Sequence, residues 1–239
     1  MKQVASRISP EIDSVIRARI ESMVKAEINL KADREKYPFM TISREYGCEG
    51  YGVACAIEKI LNVNPREKFP WVSFDKEILE RIAEESGQYP GLVKMIMEQR
   101  LSAIGHLVID MVSDLPNEYD IFQKMAKTIA FLAHKGRAIL IGRGSSIITK
   151  DIERGVHIRI TAPLDYRVER IAKLHSISRD AAEKEVRHMQ AERETFVQKF
   201  TMHSVADLFL YHLIFNNALC TVDEMASITV DLMRGRKWI

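Results

Sequence analysis

Gly47, Gly50 and Gly52 fall between two stretches of opposite periodicity. Before them Phe39-Met40-Thr41-Ile42-Ser43 is a short apolar and β-branched run; after them Val53, Ala56, Ile57, Ile60 and Leu61 recur at helical spacing. The pattern predicts strand, glycine-rich loop, helix. The chemistry of such a unit is anion capture. Glycines allow close backbone approach, the first amides of a helix lack internal partners, and the helix dipole favours negative charge there. The P-loop pattern G-x-x-x-x-G-K-[ST] is not met. When it is laid on Arg44–Tyr51, Arg44 replaces the first glycine, Glu49 the second, Gly50 the lysine and Tyr51 the magnesium-binding hydroxyl. Arg44, Gly47, Cys48, Glu49, Gly50, Tyr51 and Gly52 are therefore candidate contacts to a nucleotide phosphate, in a cradle without its usual charges.

Other residues of chemical interest lie farther along. Asp75 follows a second strand candidate, Trp71-Val72-Ser73-Phe74, where it can cap a helix through Ile78, Leu79, Ile82 and Ala83 or reach a substrate. Arg143 sits in Gly142-Arg143-Gly144-Ser145 after the apolar run Ala138–Ile141. Cys48, Cys55 and Cys220 show no C-x-x-C spacing, and no His/Cys cluster has zinc-ligand spacing, so reduced thiols and no structural metal are expected. Cys48 precedes a helix N-terminus, a setting that can lower a thiol pKa, though its plainer reading is a small loop residue.

The elements that must position these groups are legible as an alternation. Strand candidates at 39–43, 71–74, 138–141, 156–162 and 211–215 are separated by helical patterns. That alternation indicates an α/β fold with a parallel sheet covered on both faces, in which ligands bind at the carboxyl ends of the strands. The rule brings Arg44–Gly52, Asp75 and Arg143 to one rim. Ser178 caps a long helix from Arg179 to about Phe200, and Thr221-Val222-Asp223-Glu224 is a capping box opening the last helix. Upstream, Ile12, Val15, Ile16, Ile20, Met23 and Val24 make one apolar stripe after Ser9-Pro10. This N-terminal helical extension, residues 1–36, must bury its stripe on the core or against a second copy as a homodimer. The 239 residues carry a net charge of 35 − 33 = +2, and no apolar run approaches the length that spans a bilayer. A cytoplasmic protein without affinity for nucleic acid or membrane is expected.

The ordered motifs resemble the cytidylate kinase-like family, P-loop relatives of the nucleoside monophosphate kinases. Ile42-Ser43-Arg44-Glu45-Tyr46-Gly47-Cys48-Glu49-Gly50 is similar to I-S-R-x-[FY]-G-S-G-G, and Phe74-Asp75-Lys76-Glu77-Ile78-Leu79 and Ile141-Gly142-Arg143-Gly144 follow in order. Ala162-Pro163-Leu164-Asp165-Tyr166-Arg167-Val168-Glu169-Arg170 is close to A-P-x-x-x-R-x-x-R, and Tyr211–Asn216 to Y-D-L-x-x-N. The resemblance covers roughly Phe39 to Met233. It implies a P-loop NTPase-type α/β core at residues 37–239, with an inserted helical arm for the acceptor and a basic lid helix near Arg179–Arg193. The implied activity is transfer of the ATP γ-phosphoryl group, with magnesium, to a nucleoside monophosphate. Arg143 would hold the acceptor phosphate, Arg193 and more weakly Arg187 would close from the lid, and Arg44 would supply part of the missing charge.

Departures from the pattern set the expectation for rate. The family commonly lacks the P-loop lysine, but Glu49 in place of a glycine would point a carboxylate at the phosphate. Losing one charge-stabilising donor costs about 3 kcal/mol. A carboxylate roughly 6 Å from a phosphate charge adds about 3 kcal/mol at an effective dielectric of 20. Together these are worth on the order of 10⁴ in rate. The sequence thus predicts a poor kinase, unless arginines compensate or Glu49 turns to solvent, or else a catalytically silent nucleotide-binding or interaction module of the same fold. Gln190, where the lid often has aspartate, weakens the lid, and Gly144, where cytidylate kinases have aspartate, weakens pyrimidine specificity. A dinucleotide-binding reading rests on Gly47-x-x-Gly50-x-Gly52 and on Asp75 as a ribose-binding acid.

Overall fold

The computed structural model describes residues 37–63, 70–76 and 118–239. The N-terminal extension, the helix expected beyond Asp75 and the part of the inserted arm within residues 77–117 lie outside the described residues.

Strand β1, Phe39–Arg44, is buried along its first four residues because it lies in the middle of a sheet. Helix α1, Gly50–Leu61, follows it, then β2, Val72–Phe74; α2, Glu118–Lys135; and β3, Ala138–Ile141. A short α3, Ser145–Ile148, β4, Gly155–Thr161, and α4, Leu164–His175, come next. Helix α5 spans Arg179–Thr201, β5 Leu213–Asn216 and α6 Val222–Gly235. The described strands form one sheet in the order β2-β3-β1-β4-β5, with every pairing parallel. Met40 lies opposite Ile139 on one side and Val156 on the other.

Alternation along the strands sorts the side chains to two faces. Met40, Ile42, Ile139, Ile141, Val156, Ile158 and Ile160 meet Val53, Ala54 and Ile57 of α1 and Met225, Ala226, Val230 and Met233 of α6 in one buried core. Each such aliphatic side chain removed from water contributes about 1.5–3 kcal/mol. Thr41 and His157 occupy intervening positions, where Thr41 Oγ1 lies 2.8 Å from His157 Nδ1. Helix α2 packs against β3 and β1, and its Phe122 stacks on Phe200 of α5 at 4.7 Å.

The predicted strands, and those predicted helices that fall within the described residues, are present with small shifts. Helix α1 begins at Gly50, before its first apolar residue, and β5 begins at Leu213 because Leu208–Leu210 form a 3₁₀ turn capped by Asp207. Ser178 and Thr221 cap α5 and α6 as expected, the latter in a complete capping box with Glu224. Helix α3, four residues long, gave no periodic signal. The strand order removes the dinucleotide reading: β3 separates β1 from β2, so Asp75 does not follow a strand next to the glycine loop as a ribose-binding acid must.

Candidate active site

The loop between β1 and α1 is held from outside by two arginines of α4. Arg167 donates to Ala162 O and Tyr46 O, at 2.9 and 3.4 Å, and Arg170 donates to Gly47 O at 3.2 Å. Glu45 closes the same bracket, accepting from Thr161 Oγ1 and Ala162 N and pairing with Arg159 and Arg167. Gly47, at φ +94°, approaches α4 so closely that a Cβ there would stand 2.7 Å from Arg167 Cβ. With loop carbonyls pinned to α4, the N–H groups of Gly47, Gly50, Tyr51 and Gly52 have no acceptor among the described residues. Gly50, Tyr51 and Gly52 are the first turn of α1, where free donors and the helix dipole coincide.

Glu49 follows one of the alternatives left open by the sequence, an arginine beside it. Its carboxylate accepts from Arg170 at 3.3 Å and from Asn217 Nδ2 at 3.3 Å, while its own N–H donates to Asn217 Oδ1 at 2.8 Å. Its charge is therefore balanced by Arg170 and does not face the phosphate site alone. Cys48 fits the plainer reading of a small loop residue: burial first, and Glu45 next, push its thiol up to about 12, the opposite of a helix-activated thiolate. Tyr51 is largely exposed and its phenol bonds Cys55 one turn along.

Three arginines converge beyond the loop. Arg44 runs from β1 across Gly50 and Gly142; Gly142 is at φ +76°, a conformation that strains other residues, and a Cβ there would meet Arg44 Nη1 at 2.0 Å and displace that guanidinium. Burial, then the charges of Arg193 and Arg143, push Arg44 down to about 9, with Asp75 partly offsetting them. Arg193 is likewise lowered, by burial and by Arg143. Among the described residues no carboxylate lies within 4.0 Å of Arg44 or Arg193. Two cavities meet at these side chains. One, of about 250 Å³, is lined by the loop with Asp75 and Arg170; the other, of about 140 Å³, by Arg143, Lys76, Ser145, Ser146 and the inner side of α5. Arg44 and Arg193 line both.

A family model described as the cytidylate kinase-like family matches residues 39–219. The chain belongs to the cytidylate kinase-like family. No curated protein matches it. Among solved structures, an uncharacterized protein from Eubacterium ventriosum is similar over 84% of this chain and 100% of its own, with TM-score 0.66 and 17% identity. Shikimate kinase from Bacteroides thetaiotaomicron aligns over 84% of this chain and 98% of its own, with TM-score 0.41 and 13% identity. TT1252 from Thermus thermophilus aligns over 83% and 98%, with TM-score 0.40 and 15% identity. The fold is the parallel α/β sheet of this kinase-like family.

Of the candidate residues in this family member, Arg44, Asp75, Arg143 and Arg193 come together, with Gly47, Cys48, Gly50 and Tyr51 along the loop cavity. Arg187 does not join them: it points to solvent and pairs with Glu183 at 2.7 Å, because one helical turn and a half carries it off the face that holds Arg193. Sequence reasoning gave no role to Gln190 beyond a missing aspartate. Its Oε1 accepts from Tyr46 N at 2.8 Å while its Nε2 donates to Glu194. Glu45, Arg167, Arg170 and Asn217, which shape the loop, were quoted only inside motifs or passed over; their shared end of the sheet was the available signal.

Proposed function

We propose that this chain is an ATP-dependent phosphotransferase of the nucleoside monophosphate kinase type. The observation that carries the reading is that Arg44 and Arg193 line both cavities. A transferred phosphoryl group passes between donor and acceptor, so charge placed at the divide acts on it in the transition state. The donor phosphates would lie on the free amides of Gly47, Gly50, Tyr51 and Gly52, with Arg44 in the role of the absent lysine. Arg143 would hold the acceptor phosphate and Arg193 the moving group. Asp75 is the carboxylate lining the loop cavity, and one carboxylate beside substrate phosphates suits Mg²⁺, which keeps much of its water. Magnesium so held would neutralise phosphate charge.

The test is diphosphate formation from Mg·ATP with a panel of nucleoside monophosphates. Arg143→Ala and Arg193→Ala are each expected to lower turnover on the order of 10²- to 10³-fold, while Arg187→Ala stays near the native rate. Full rate in both of the first two variants would overturn the site.

A second reading, a silent nucleotide-binding module, is favoured by one specific feature. Two loop amides, those of Tyr46 and Glu49, already donate to Gln190 and Asn217. Nucleotide binding measured by calorimetry without turnover would select it; absence of both would remove both readings.

A further inference from the structure

Arg44, Arg143 and Arg193 line one cavity, and like charges so placed repel each other. Aromatic faces attract a guanidinium through the ring quadrupole and leave its charge intact. Two such faces are in place. The guanidinium of Arg193, on α5, lies 4.8 Å from the ring centroid of Tyr46, in the glycine loop. The guanidinium of Arg143, in the loop after β3, lies 4.3 Å from the ring centroid of Phe196, on α5. The two contacts are reciprocal: α5 gives the cation in one and the ring in the other, from positions one turn apart. Each ring is itself fixed. Tyr46 OH donates to Glu185 and its backbone N–H to Gln190, both on α5. Phe196 packs against Phe122 of α2 and Phe200.

We propose that Tyr46 and Phe196 are positioning residues, whose rings clamp Arg193 and Arg143 beside Arg44 and so keep an anion-binding cluster assembled. The ligand it takes is a polyphosphate, and the proposal rests on the phosphotransferase reading given above. The rings touch the arginines and act through them. Their loss would let α5 and the loop after β3 relax apart, and the ligand would then have to gather the three cations itself.

Inorganic pyrophosphate and ADP binding, followed by calorimetry, tests this without requiring turnover. Tyr46→Leu and Phe196→Leu keep apolar volume and the Tyr46 backbone N–H while removing the faces. Each is expected to weaken pyrophosphate binding about 3- to 30-fold. Tyr46→Phe keeps the face and loses only the phenol, so it should bind within twofold of the native chain. A purely structural role for the rings would lower thermal stability and leave affinity unchanged. Native binding with unaltered affinity in Tyr46→Leu would overturn the proposal and leave the phosphotransferase reading intact. Equal weakening in Tyr46→Phe and Tyr46→Leu would assign the effect to the Glu185 link and overturn the clamp at Tyr46. A native chain that binds neither anion would overturn the reading and the proposal together. Tyr46 is in a partly exposed loop, so its variants carry the test even where Phe196→Leu fails to fold.

Discussion

Glu49 shows how the partners of a single side chain bear on what its charge can do in a site. In the sequence it is a carboxylate at a glycine position of a phosphate loop; in the structure its two oxygens accept from Arg170 and Asn217. Removing it would free Arg170 and leave the buried Asn217 amide without one partner. Glu49→Gly is expected to lower the unfolding free energy by about 1 kcal/mol, the worth of a partly buried pair and a hydrogen bond. It should give no gain in phosphoryl transfer. Urea unfolding beside a rate assay checks both, and a tenfold rise in rate would mean that the carboxylate acts on the phosphate after all. None of this was readable locally. Glu49 and Asn217 are 168 residues apart, and only the parallel sheet brings the end of β5 beside the loop after β1. Cys48 follows the same logic: its position before a helix suggested a lowered thiol pKa, and burial reversed the direction.

Helix α1, at whose start the loop amides are presented, is backed by α6 in the shared core. The start of α6 is therefore part of what supports the loop from below. Thr221 Oγ1 accepts from Glu224 N, and Glu224 accepts from Thr221 N, so two end donors of the helix are satisfied at once. Thr221→Ala should cost about 1 kcal/mol of stability and leave pyrophosphate affinity unchanged. Thr221→Ser should recover most of the loss, as denaturant midpoints would show. This cap was legible because a capping box is a four-residue signal whose physics is local. The start of α1 was read too late, since the helix opens on residues that carry no apolar periodicity.

At the scale of the whole molecule, two histidines lie together across β4 and the entry to β5, away from the arginine cluster. His157 N donates to His212 Nδ1 at 3.0 Å, and the two rings stand 5.3 Å apart. His157 is buried beside Thr41; burial first, and the neighbouring His212 next, push it down to about 4 from its ordinary 6.5. Because the folded value lies below the unfolded one, this histidine's contribution is fully present above pH 6.5 and is lost as pH falls toward 4. In that window the unfolded chain takes up a proton that the folded one refuses. Between pH 7 and pH 5 the native chain should lose about 2 kcal/mol of stability through this residue. His157→Gln, which keeps polar partners without titrating, should lose that much less over the same interval. Chemical denaturation at the two pH values decides it, and equal losses in both proteins would remove His157 as the source.

The sequence by itself determined the parallel α/β class, the five strands, the glycine loop between β1 and α1, and the caps of α5 and α6. Each of these depends on periodicity or on contacts within a few residues. Family membership followed from the same ordered motifs. The tertiary structure alone decided the rest: that Arg44 fills the space left by Gly142, that Gln190 takes the Tyr46 amide, and that Arg187 is turned away while Arg193 is not. It also decided that Glu49 is balanced by Arg170. These outcomes depend on which strand ends the order β2-β3-β1-β4-β5 makes neighbours, and that order is set by how the helices cover the sheet rather than by any local run of residues.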